Sequence, residues 1–352
     1  MLKTMTPRLA LFLMLAGILL SACSSIGGPT PTEVEIVIDP AQAMTQEAST
    51  PVATPTLRPT PTTTATLSPT EIPTPTNTLD PYNTLIAQGR QQRDTNELEP
   101  AIATFGQAIQ MDPANPLGYI ERGITYNAMG LADQAITDFN FAINYDPNSA
   151  EAYNARGVSW SQKGQMQQAI KDFTKALELK PDYVAALTNR GIAYLNQQNA
   201  DSAMSALDDF TKAVELKPDD AEVYFNRGQA YLLASGFTDD SSLIDLCIAD
   251  MNQSIVLNPQ NPEAFNIRAS CMVLKTDYEG AYLDFTEAIR LAPEEARYYL
   301  YRATLYPDFG DLETALADAR KVLELTQDNE LRAAAEELLR DLEKAPTPTP
   351  RP

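Results

Sequence analysis

The chain of 352 residues contains no histidine. That removes Ser-His-Asp and Cys-His nucleophiles, and every imidazole metal site, from the chemistry available to it. Basic side chains are scarce as well: 26 Lys+Arg stand against 47 Asp+Glu, a formal charge of -21. Phosphate contacts need clustered Lys and Arg, so nucleic acid is excluded as a partner class, while cationic and neutral partners remain. The three cysteines include no CxxC pair, and no GxxxxGK[ST], GxSxG or HExxH string occurs. The many carboxylates read as solvated faces of amphipathic helices rather than as an acid/base pair. No catalysis, metal or cofactor is expected.

What is present begins with an address. Lys3 and Arg8 precede an apolar run from Leu9 to Leu20, which is too short to span a bilayer, and then Leu20-Ser21-Ala22-Cys23. A positive flank, a short apolar core and small residues before a cysteine resemble the lipobox of bacterial lipoproteins. The resemblance implies a signal peptide over 1–22, cut after Ala22, and a lipid on Cys23; an ordinary secretory signal is the plain alternative. One acyl chain at about 0.8 kcal/mol per buried methylene holds only marginally, whereas the two or three of a lipoprotein anchor stably. Ser24 after that cysteine resembles cargo sent to the outer membrane of a two-membrane cell. In a one-membrane cell the mature chain would face outside.

From Pro29 to Pro81 proline and threonine dominate, as in Pro59-Thr60-Pro61 and Pro73-Thr74-Pro75-Thr76. Such a composition cannot bury a core, so residues 23–81 are expected to be a lipidated cysteine and a disordered linker. Extended at about 3.1 Å per residue, 29–81 would reach roughly 160 Å, which suits a spacer. A proline-motif ligand and a glycosylated stalk are sharper alternatives. The tail 344–352 has the same composition.

From Tyr82 onward the chain is periodic. Small residues recur at Gly89, Gly123, Gly157, Gly191, Gly228, Ala269 and Ala303, the first three steps being 34 residues each. With that residue numbered position 8, alanine fills position 20 (Ala101, Ala135, Ala169, Ala281, Ala315) and phenylalanine position 24 (Phe105, Phe139, Phe173, Phe285). Alanine fills position 27 (Ala108, Ala142, Ala176, Ala288), and proline closes the unit at position 32 (Pro113, Pro147, Pro181, Pro218, Pro259, Pro293). Aromatics stand at position 11, as Tyr126, Trp160, Tyr194, Tyr231 and Tyr306.

These residues resemble the tetratricopeptide repeat over 82 to about 328. The resemblance implies an all-α, right-handed superhelical solenoid of about seven helix-turn-helix units plus a capping helix over 329–343. The units fall at about 82–115, 116–149, 150–183, 184–220, 221–261, 262–295 and 296–328. The physics agrees: small residues at 8 and 20 let two helices approach, and Phe at 24 with the aromatic at 11 fills the gap between them. A lone hairpin cannot bury its apolar face, so stability comes from stacking.

Repeat 4 runs three residues long and repeat 5 seven, and the extra length is expected in or near the turn between helices A and B. In the candidate loop of repeat 5, Phe237 either contacts a partner or folds back, and Asp239-Asp240 reads as a helix start rather than a calcium site. Arginine fills position 7 in six repeats (Arg122, Arg156, Arg190, Arg227, Arg268, Arg302) and aspartate position 23 in the same six (Asp138, Asp172, Asp209, Asp250, Asp284, Asp318). Repeat 1 lacks both, having Gln88 and Thr104. Joint presence and absence point to a repeated ion pair rather than a ligand-binding row. Cys247 and Cys271 occupy small-residue positions and read as two buried free thiols, with a disulfide as the alternative.

In this family the inner face of the superhelix is lined by helix A, largely at positions 2, 5, 9 and 12. Carried over at positions 5 and 9, this implies a partner groove along Ile120, Ile124, Asn154, Val158, Thr188, Ile192, Phe225, Gln229 and Asn266, with Ile86, Arg90, Ser270, Leu300 and Thr304 continuing it. The Lys/Asn clamp of chaperone-binding members has no match in three consecutive repeats. The expected role is a monomeric, membrane-anchored scaffold of the cell envelope, in the periplasm or outside the cell, that docks a protein or peptide. The alternative is a receptor for a soluble peptide or glycan, with Tyr298, Tyr299, Tyr301 and Tyr306 as its candidate aromatic pocket.

Overall fold

The computed structural model describes residues 80–306, 309 and 312–344. Cys23, the signal segment, the linker up to 79 and the tail from 345 lie outside the described residues. Among the described residues are fifteen α-helices and no strand. In chain order they are α1 (Pro81–Asp94), α2 (Leu98–Met111), α3 (Pro116–Ala128), α4 (Ala132–Tyr145), α5 (Ala150–Gln162), α6 (Met166–Leu179), α7 (Val184–Leu195) and α8 (Ala200–Leu216). There follow α9 (Ala221–Ser235), α10 (Ser242–Leu257), α11 (Pro262–Leu274), α12 (Tyr278–Leu291), α13 (Ala296–Thr304), α14 (Leu312–Leu325) and α15 (Asn329–Leu342). Odd helices up to α13 are the A helices of seven hairpins, even ones the B helices, and α15 closes the stack against α13 and α14.

Local chemistry sets the boundaries. Asn115, Ser149, Asp220, Asn261 and Glu295 each accept a backbone N–H from the first turn of the A helix that follows. The turn from A to B places position 15 in the left-handed region, at Gly130 (φ 72°) and Gly164 (φ 71°) but also at Asn96, Gln198 and Thr276. Glycine takes that conformation without cost; threonine does not.

Packing follows the repeat. A Cβ on Gly123 would sit 2.7 Å from the Phe139 ring, and one on Gly157 2.6 Å from Phe173, so the small residue at position 8 is required by the ring at 24. Phe105, Phe139, Phe173, Phe210 and Phe285 are at most 1% exposed, each worth about 1.5–3 kcal/mol of burial.

Two expectations are corrected. In repeat 4 the insertion lengthens helix B itself: α8 has 17 residues where α4 and α6 have 14, and it opens with a capping box between Asn199 and Ser202. In repeat 5 the added residues are shared among α9, the 236–241 connection and α10. Cys247 and Cys271 are not free thiols. They form a disulfide between α10 and α11, with both residues fully buried and the Cα atoms 6.7 Å apart, because the small side chains at these positions bring the two helices within bridging distance. No described helix is long and apolar enough to cross a membrane.

Candidate functional site

The A helices of successive hairpins touch one another from α1 through α11, which makes them the inner layer of the solenoid and leaves the B helices outside. The arginine row lies between these layers and is spent internally. Each of Arg122, Arg156, Arg190, Arg227, Arg268 and Arg302 donates through Nε and Nη2 to both oxygens of its own repeat's aspartate, at 2.7–2.8 Å. The carboxylates are buried. Hydrogen bonds donated to the paired aspartates hold Arg122, Arg156, Arg190 and Arg227 above the ordinary guanidinium range. Burial pushes the Asp209 carboxyl up against the opposing pull of Arg190.

A further set of partners went unread in the sequence. Nη1 of Arg156, Arg190, Arg268 and Arg302 donates backward to Asn140, Thr174, Asn252 and Thr286 on the preceding B helix. The legible signal was a polar residue sixteen positions before the arginine, mirroring the aspartate sixteen positions after it in the unexpanded repeats. Repeat 1 substitutes a hydrogen bond from Thr104 Oγ1 to Gln92. The buried Glu121 was also missed; it accepts from Arg90 and Arg93, so Arg90 is engaged within the scaffold.

The nine candidate groove residues divide in two. Ile120, Ile124, Asn154 and Asn266 are buried, Asn266 completely. Asn154 accepts from Asn189 Nδ2 at 3.0 Å, linking α5 to α7. Val158, Thr188, Ile192, Phe225 and Gln229 are half-buried, and they stand on the successive A helices α5, α7 and α9. The structure thus brings together one partly open strip, apolar with a hydroxyl and an amide, across repeats 3 to 5.

Among the described residues, repeat 7 shows no open aromatic pocket. Tyr298 and Tyr301 are 1% and 2% exposed, and Tyr299 donates its hydroxyl to the Pro293 carbonyl. Tyr298 donates to Glu263, and its phenol is raised above the usual range by burial and then by that carboxylate. The crevice beneath Tyr282, Arg302, Tyr306 and Phe309 has no room for water. A shallow cavity of about 500 Å³ opens at the other end, lined by Pro81, Thr84, Leu85, Gln107 and Met111. In repeat 5, Phe237 is 47% exposed, and Asp240 accepts from the backbone N–H and hydroxyl of Ser242, the start of α10.

Residues 150–183 and 188–239 match two family patterns, each described as tetratricopeptide repeat. The chain carries tetratricopeptide repeats. A curated relative, human Tetratricopeptide repeat protein 13, is 36% identical over 83 residues, 24% of this chain and 10% of that protein. The chain therefore spans about a tenth of the curated relative it matches. A tetratricopeptide repeat protein from Parabacteroides merdae superposes with a TM-score of 0.52 at 20% identity, covering 75% of this chain and 99% of that one. Pseudomonas aeruginosa pilF superposes with a TM-score of 0.55 at 15% identity, covering 63% of this chain and 96% of that one. At these identities the two likenesses establish the fold alone. Tetratricopeptide repeats serve as scaffolds for protein or peptide partners, and the family is in general non-catalytic.

Proposed function

We propose that this protein is a lipid-anchored scaffold of the bacterial cell envelope. Cys23 fixes it to a membrane, the Pro/Thr-rich segment acts as a spacer, and the tetratricopeptide solenoid docks a protein or peptide along its inner face as a monomer. The observation that carries the docking site is the half-buried strip Val158, Thr188, Ile192, Phe225 and Gln229 on three adjacent A helices. Such a strip offers apolar contact with hydroxyl and amide groups for orientation. The ion-paired arginines support the same reading by elimination, since they are occupied within the scaffold. The Cys247–Cys271 disulfide supports export, because cytosolic thiols are kept reduced.

The test is affinity capture from envelope extract with the full chain and with Thr188→Arg/Gln229→Arg, which places charge in the strip without removing core atoms. A partner held by the parent and lost by a folded variant is expected. Equal capture by both would move the site off the inner face.

A further inference from the structure

Repeat 5 differs from its neighbours where the scaffold is held together. Cys247, Met251 and Ser254 stand where repeats 1–4 and 6 carry Ala, Phe and Ala, and all three are fully buried. Met251 replaces a ring with a flexible thioether, and Ser254 satisfies its hydroxyl on the Ala221 carbonyl at 3.0 Å. Two buried amide atoms flank the same helix without a hydrogen-bond partner among the described residues: Asn226 Nδ2 on α9 and Asn266 Oδ1 on α11. Each such atom costs the desolvation of a polar group with no return. Repeat 5 is therefore held by a thioether and a sulfur where repeats 1–4 and 6 carry a ring and an alanine, with an unpaired buried amide on the helix before α10 and on the helix after it. The disulfide also crosses here, from α10 to α11.

We propose that Cys247–Cys271 is an oxidation-dependent latch: with the bond formed, repeats 5 and 6 are locked into one solenoid, and with it absent α10 and α11 open while repeats 2 and 3 stay folded. The bond forms by thiol–disulfide exchange with a small-molecule or protein disulfide. One cysteine thiolate attacks that disulfide and expels a thiolate; the second then displaces the remaining oxidant thiolate from the mixed disulfide. Overall the two protein thiols lose two protons and two electrons, and the oxidant becomes two thiols. Both cysteines are fully buried in the closed junction, so exchange runs only from an opened one. The closed latch resists reductant, and a chain still in a reducing compartment is left with an incomplete inner face between Gln229 and Asn266. The inference rests on the disulfide and its surroundings and does not depend on the docking reading.

The test is hydrogen–deuterium exchange on the full chain, refolded either with glutathione disulfide or with the thiols held reduced, which leaves every side chain in place. The latch predicts amide exchange in α10 and α11 faster by roughly tenfold or more in the reduced chain, with α3 to α6 unchanged. The Cys247→Ala/Cys271→Ala variant, which restores the repeat's usual residue at position 20, is expected to reproduce the reduced pattern. Equal protection in the two forms would overturn the latch. So would protection lost across α3 to α6 as well, which would make the bond a requirement of the whole fold. Thiol titration of the denatured, oxidised chain showing both residues free would overturn it too.

Discussion

Arg156 grips both oxygens of Asp172 at 2.7 Å and, through its remaining arm, Asn140 of the preceding hairpin. One guanidinium thereby ties the two helices of its own repeat to the repeat before it, and the same figure recurs along the stack. A charge row that invites a ligand-binding story is a structural spine. The pair is partly shielded from solvent, so its coupling should exceed that of an exposed pair such as Lys175–Glu178. A double-mutant cycle with Arg156→Ala and Asp172→Ala is expected to give about 1.5–3 kcal/mol, against about 0.3–0.5 kcal/mol for the exposed pair. Coupling near zero at Arg156–Asp172 would remove the spine.

Thr276 holds a left-handed φ of 60° in the turn between α11 and α12, where Gly130 and Gly164 stand in repeats 2 and 3. Thr276→Gly should therefore raise stability by about 1 kcal/mol, and Gly130→Ala should lower it by a similar amount. Denaturant midpoints compared at constant m-value check both signs.

Burial holds the phenols of Tyr183 and Tyr298 above the ordinary tyrosine range. A group raised in the folded state lends stability that is complete below its unfolded pKa of about 10 and declines as pH climbs toward the folded value. Stability is expected to fall above about pH 10, and in a spectrophotometric titration these two tyrosines should stay silent until the chain unfolds. Full ionisation of every tyrosine in the native chain would contradict the burial.

How much of this was legible follows from the residues themselves. Gly157 and Phe173 announced the hairpin because each is useful only with the other sixteen positions away, and the Arg–Asp pairing was readable from joint presence and joint absence. The Asn140 contact was harder to see, since asparagine and threonine alternate at that position and glycine stands there in repeat 1 as Gly106. The disulfide was misread as two free thiols because Cys247 and Cys271 each fit their site without a bond, and only the placement of α10 against α11 joins them. The differing burial of the nine groove candidates was illegible for a related reason. Whether Ile120 or Phe225 meets solvent depends on the neighbouring helix, which no single repeat encodes.

The proposed anchor has its own test. Cys23→Ala is expected to leave the chain uncleaved or to release it from membranes. The parent should carry a fatty-acyl mass increment on an N-terminal peptide that begins at Cys23. An unmodified mature terminus elsewhere would contradict the lipid.

The central claim is that the inner strip of repeats 3 to 5 docks the partner. The most direct measurement is photo-crosslinking in intact cells from a probe placed singly at Thr188, at Gln229, or at the exposed Lys212 on the outer helix α8. The account predicts the same crosslinked partner from Thr188 and Gln229 and none from Lys212. Adducts from Lys212 alone would contradict it.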